Sequence, residues 1–91
     1  MSSDTPWKVV WNDKVYDDLA ALDKMTAGKI IERVETYLVQ NPVNIGKPLS
    51  GRLAGIFRYR YGDYRILYVM DFEARTVTIL GVGHRREVYQ N

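Results

Sequence analysis

At 91 residues the chain has room for one small domain, and 46% hydrophobic with 26% charged residues is the balance of a folded globular protein rather than a disordered one. It has no cysteine and one histidine, which removes disulfides, cysteine-ligated zinc and thiol nucleophiles and leaves neither a metal nor a cofactor to be expected. The net charge of +2 is unevenly spread: residues 1–43 carry 5 Lys/Arg against 7 Asp/Glu, residues 44–91 carry 8 against 4, and all but one of those eight are arginine, the side chain suited to bidentate phosphate contact.

Repeats and low-complexity segments are absent, so a single domain over residues 1–91 is expected. No apolar run has the length of a membrane span or the form of a signal peptide, and a cytoplasmic protein with no membrane partner is expected. The first element is WKVVW (7–11), whose β-branched and aromatic residues predict a strand. Asn12 or Asp13 can cap a helix begun after it, because a short side-chain oxygen accepts from the free amides of a first helical turn. Val15, Leu19 and Leu22 then make one stripe of a short helix. Thr26 offers a second cap. Ile30, Ile31, Val34, Tyr37 and Leu38 repeat at helical spacing after it, and this helix should stop near Gln40 because the residue before Pro42 is driven out of the α region.

Residues 44–52, NIGKPLSGR, read as a connection, and the rest is β in character. GIFRYRY alternates aromatic and basic residues, Gly62-Asp63 is a two-residue hairpin turn, and YRILYVM returns as the next strand. A second turn over Asp71 to Arg75 leads to the last strand, TVTILGVG. The order is β-α-α-β-β-β, an α+β fold: a small antiparallel sheet, joined by the N-terminal strand, with a helical hairpin packed on one face.

Period-two geometry puts Arg58 and Arg60 on one side of their strand, roughly 7 Å apart. Phe57, Tyr59 and Tyr61 take the other, which makes them the core candidates and leaves the arginines on the open face. Arg65 begins the next strand within reach of direct pairing with Arg60. The last strand ends in Gly81-Val82-Gly83, where missing side chains leave room for an approach to the backbone. His84, Arg85 and Arg86 come immediately after.

The stretch KPLSGRLAGIFRYRYGDYRILYVMD, with VTILGVGHRREVY after it, resembles the RelE/ParE superfamily of toxins from prokaryotic type II toxin–antitoxin pairs, and more closely its RelE branch. The resemblance covers nearly the whole chain. It implies the microbial RNase-like fold of that group and a ribosome-dependent endoribonuclease that cleaves mRNA in the A site. In that reaction the 2′-hydroxyl attacks the adjacent phosphorus and leaves a 2′,3′-cyclic phosphate. It also implies a cognate RelB-like antitoxin, bound in a heteromeric complex. The branch's functional residues are a basic pair on the first meander strand, an Arg opening the next, an Arg after the last strand and a Tyr near the end. The matching positions are Arg58 with Arg60, Arg65, Arg85 with Arg86, and Tyr89.

The first pair departs from the best-known pattern, in which both are lysine. A guanidinium holds its proton near neutral pH, so Arg60 is a poor general base and a good clamp for the added charge of a pentavalent phosphorane. The roles this leaves are Arg58, Arg60 and Arg65 as phosphate clamps and Arg85 and Arg86 near the leaving oxygen. His84 is then the acid or base, and Tyr89 stacks on or orients the base beside the cut. Lys47 and Arg52 are expected to contact the RNA backbone. Two other functions stay open: a ParE-like toxin that inhibits DNA gyrase without enzymatic activity, and a degenerate member that only binds its antitoxin.

Overall fold

The computed structural model describes residues 6–84. Strand β1 (Lys8–Trp11) leads into helix α1 (Asp13–Ala20) and then α2 (Lys24–Thr36). A 3-10 turn over Leu38–Gln40 and a one-turn helix α3 (Pro42–Ile45) bring the chain to a two-residue strand β2 (Lys47–Pro48). A second 3-10 turn (Gly51–Leu53) precedes the meander β3 (Phe57–Tyr61), β4 (Tyr64–Asp71) and β5 (Thr76–His84). The five strands form one sheet in the order β1-β5-β4-β3-β2. The α+β class and the helical hairpin are as the sequence predicts. No helix among the described residues is long and apolar enough to cross a membrane.

The sheet itself is mixed rather than wholly antiparallel, because β1 runs parallel to β5, with Lys8 opposite Thr76 and Trp11 opposite Ile79. The reason is parity. β2, which the sequence presents only as part of a connection, runs antiparallel to β3 and so adds one more reversal before the meander. With that extra segment the last strand comes back in the sense of the first.

Both helices start on side-chain caps. Asn12 Oδ1 accepts from Lys14 N–H at 3.1 Å, as expected. The second cap is Asp23 rather than Thr26: the Asp23 carboxylate accepts from Thr26 N–H at 3.1 Å and so draws residues 24–26 into the first helical turn. Hydrogen bonds from Thr26 hold the Asp23 carboxyl below its ordinary value.

Helical periodicity then selects the buried face. Val15 and Leu19 of α1, and Ile30, Val34 and Leu38 of α2 and the turn beyond it, meet Tyr59, Ile66, Tyr68, Val77, Ile79 and Val82 of the sheet. Each fully buried aliphatic side chain contributes about 1.5–3 kcal/mol relative to exposure. Tyr37, expected on this stripe, is instead 43% exposed, and the Arg33 guanidinium lies 4.5 Å above its ring. Arg33 Nε also donates to the Tyr59 hydroxyl at 3.1 Å.

The turns obey their residues. Gly62 has the positive φ (58°) required at the first position of the two-residue hairpin between β3 and β4. The β4–β5 turn closes with Ala74 N–H donating to Asp71 Oδ1 at 3.1 Å. Arg75 takes a positive φ of 48° there, and its guanidinium sits 5.0 Å from the Trp7 ring.

Two contacts fix the ends of the sheet. β1 stops at Trp11, so the edge of β5 beyond Ile79 has no strand partner among the described residues; Asp18 of α1 supplies an acceptor there, taking the Val82 N–H at 3.0 Å. At the other end the wholly buried Tyr68 donates its hydroxyl proton to Pro42 O at 2.7 Å. Gly46 lies against that hydroxyl so closely that a Cβ at position 46 would overlap the Tyr68 oxygen and approach Arg58 O. The missing side chain is what lets residues 42–48 lie down on the sheet and pair as β2.

Gly46→Ala is therefore expected to cost about 1–3 kcal/mol through overpacking, read as a fall in melting temperature of at least about 4 °C. Part of the loss should be recovered by adding Tyr68→Phe, which removes the overlapping oxygen, although Tyr68→Phe alone destabilises by leaving Pro42 O unpaired. Burial also raises the Tyr68 phenol from 10.0 to about 12. The folded state thus favours the protonated phenol, so this contribution is intact below pH 10 and is lost as pH rises from about 10 to 12. Chemical denaturation across that range should show a decline that Tyr68→Phe lacks.

Candidate anion-binding site

The ladder registers sort the side chains onto the two faces. Tyr59 pairs with Ile66, and Phe57 with Tyr68, on the helix-covered face. The intervening positions belong to the opposite face: Arg58 lies across from Leu67, and Arg60 directly across from Arg65. On the outer side of β3, Lys47 lies across from Arg58. Lys47, Arg58, Arg60 and Arg65 are thus drawn from three strands onto one face. Lys47, Arg58 and Arg60 share with Ile45 and Tyr59 a shallow cavity of about 160 Å³.

Two pairs of like charge, Lys47 with Arg58 and Arg60 with Arg65, face each other directly across adjacent strands. Such pairs are destabilising by themselves, by an amount of order 0.2–1 kcal/mol each. The arrangement is therefore not one that stability favours, and an anion lying between the strands relieves it. Arg65 sharpens the point. It is only 7% exposed, its Nη1 makes one long hydrogen bond to Tyr64 O at 3.4 Å, and its Nε has no hydrogen-bond partner among the described residues. The only ion pair among the described residues joins Lys14 to Asp18 on α1. No described carboxylate, Asp63 and Asp71 among them, therefore answers the Arg65 charge. A buried cation left in this state fits a group that meets its counter-charge from a ligand.

His84 is not part of this cluster. It pairs with Tyr64, whereas its neighbour Gly83 pairs with Arg65, so the imidazole projects to the helix-covered face. There its ring meets Tyr64 edge-on at 5.9 Å and lines a separate cavity of about 420 Å³ with Asp17, Asp18, Ala21, Leu22 and Val82. By register the ring therefore falls in the row of Tyr64 rather than in the row of Arg60 and Arg65. Gly83 lies opposite Arg65 and is itself buried.

Arg52 lies in the 3-10 turn Gly51–Leu53, outside the sheet and exposed. Arg85, Arg86, Glu87 and Tyr89 lie outside the described residues. No group of three or more His, Cys, Asp or Glu among the described residues is placed to hold a metal ion. Lys47 stands closer to the arginines than a residue of a connecting loop would. Its signal in the sequence is the Gly-Lys-Pro triplet: a glycine for close approach, then one side chain, then a proline of the kind that edge strands tolerate.

Fold and face together define a small α+β module with a helical hairpin on one side of its sheet and a cationic face on the other. The family described as "ParE toxin of type II toxin-antitoxin system, parDE" matches residues 9–89. Toxin RelG of Mycobacterium tuberculosis is 38% identical over 85 residues, covering 93% of this chain and 98% of that protein. Toxin RelE of the same organism is 34% identical over 90 residues, covering 99% and 93%. The crystal structure of the M. tuberculosis toxin–antitoxin complex RelBE2 contains a chain that superposes with a TM-score of 0.84 at 38% identity, over 90% of this chain and 94% of that one. The chain belongs to the RelE/ParE superfamily of toxins of type II toxin–antitoxin systems, and these relatives carry RelE-branch names.

If the Arg65 cation is held for a ligand, Arg65→Met, which keeps the side-chain length and removes the charge, should leave the melting temperature within about 4 °C of the unaltered protein's or raise it. The same variant should lose most of the stabilisation that added inorganic phosphate or a short oligonucleotide gives the unaltered protein. A large drop in melting temperature without ligand would instead give Arg65 a structural partner.

Proposed function

We propose that this toxin is an endoribonuclease that cleaves mRNA in the ribosomal A site and so stops translation. The observation that carries the reading is the cluster of Lys47, Arg58, Arg60 and Arg65 on one sheet face, with Arg65 buried and without a carboxylate among the described residues. RNA-strand cleavage by attack of a 2′-hydroxyl passes through a phosphorane with more negative charge than the starting diester. Fixed guanidinium donors favour that state over the ground state, which is the condition for speeding the reaction rather than merely binding the substrate. Arg58 and Arg60 grip the non-bridging oxygens, and Arg65 supplies charge from the sheet beneath. Arg85, Arg86 and Tyr89 complete the proposed site, the arginines near the leaving oxygen and the tyrosine against the base; Arg52 adds a contact to the message backbone.

A cognate antitoxin is the expected partner, as in the M. tuberculosis complex. An acidic or bulky segment lying over the cationic face, or displacing the C-terminal segment, would silence it. The ParE description of the matching family favours one alternative, a toxin directed at DNA gyrase.

The two are separated by adding purified protein to a translation extract and mapping mRNA ends, with a gyrase supercoiling assay in parallel. Cuts at A-site codons that need ribosomes are expected, with Arg58→Ala and Arg60→Ala each slowing cutting by about 10²-fold or more while keeping the fold. Gyrase inhibition without cuts would replace the ribonuclease reading with the ParE-like one.

A further inference from the structure

Expulsion of the 5′-oxygen in such a cleavage leaves an alkoxide unless a proton reaches it as the P–O bond breaks. The three arginines of the described face do not readily give up a proton, and the imidazole of His84 lies across the sheet from them. Among the described residues of that face, Lys47 alone carries a group of another kind, a primary ammonium. Several features aim it. Gly46 is packed under the Tyr68 hydroxyl, which sets the path of the chain one residue before Lys47. Pairing with Arg58 then holds the Lys47 backbone in the sheet, and the pairing continues through Pro48 opposite Phe57 to Leu49 N–H on Ile56 O at 2.9 Å. The side chain lines the same shallow cavity as Arg58 and Arg60 but remains exposed, so it can reach a strand of RNA gripped by them.

We infer that Lys47 is the proton donor to the leaving 5′-oxygen, an inference that rests on the ribonuclease reading. In the step, the 2′-oxygen forms a bond to phosphorus and its proton passes to solvent water. The P–O5′ bond breaks, and its electron pair takes a proton from Nζ of Lys47. The products are a 2′,3′-cyclic phosphate and a 5′-hydroxyl; the neutral amine regains its proton from solvent. No other reactant is needed. The adjacent Arg58 and Arg60 hold the phosphoryl oxygens while the ammonium addresses the bridging one, a division of labour that the three side chains' placement around one cavity permits.

The test uses the full-length protein with ribosomes stalled on mRNA carrying either an ordinary A-site phosphodiester or one whose leaving 5′-oxygen is replaced by sulfur. A thiolate leaves without a proton, so the sulfur substrate has no use for a donor. Lys47→Arg, which keeps the charge, and Lys47→Met are both expected to cut the ordinary message about 10²–10³-fold more slowly and the sulfur message at close to the unaltered rate. Equal slowing on both messages would make Lys47 a binding residue only and overturn the inference. Failure of the unaltered protein to cut either message would sink the ribonuclease reading and this inference with it. Unchanged melting temperatures in the two variants, expected for an exposed side chain, keep a folding defect out of the comparison.

Discussion

The contact on which the cationic face depends is the one between Tyr68 and the backbone of residues 42–46. A phenol in the middle of a sheet brings a hydroxyl into an apolar interior, where it must be hydrogen-bonded or it costs several kcal/mol. Pro42 O is the acceptor at 2.7 Å, and Gly46 is the place where the chain comes close enough to cover the ring. The connection is thereby drawn flat against the sheet instead of arching over solvent. Leu49 N–H then bonds to Ile56 O at 2.9 Å, which continues the pairing that β2 begins. A buried residue on the helix side of β4 thus decides where Lys47 stands on the other side of β3.

The same sheet keeps two chemical environments apart. On one side, α1 carries Asp17 and Asp18 past the end of β5, where Asp18 serves as a surrogate strand partner and salt-bridges to Lys14 at 3.2 Å. On the other side the described charges of the site are positive, and two pairs of them face each other directly. One residue of register separates the two: Gly83 belongs to the row of Arg60 and Arg65, and His84 to the row of Tyr61 and Tyr64. In a strand, where successive side chains alternate, a shift of a single position would exchange them. The irregularity between Leu67 and Tyr68 in the β4–β5 pairing is where this alignment is set.

Such long-range alignment marks the boundary of what could be read from the sequence. The alternation in FRYRY is strictly local, so the assignment of Arg58 and Arg60 to the open face, and of Tyr59 to the core, needed no knowledge of the rest of the fold. The Gly62-Asp63 turn has only two residues, so the pairing of Arg60 with Arg65 was close to determined as well. His84 differs because its face depends on a bulge between two strands, a long-range feature with no signature in either strand alone. β2 was hidden for another reason: two residues ending in proline carry no strand pattern, and their pairing comes from a tyrosine in β4. Without β2 in view, the sequence offers no basis for the parallel sense in which β1 joins β5.

The cationic face also bears on how such a protein is held inactive. Opposed like charges and a buried guanidinium mean that the fold carries a local cost at this face, tolerated because of the packed core beneath. Any anion that settles between β2, β3 and β4 recovers part of that cost, and a phosphodiester and a carboxylate do so through the same donors. Substrate and a polypeptide inhibitor presenting acidic side chains would then draw on one source of binding energy and could not both use it. Inhibition by occupancy of this face needs no change in the shape of the sheet: it needs only a competing anion held at high local concentration by contacts elsewhere on the molecule.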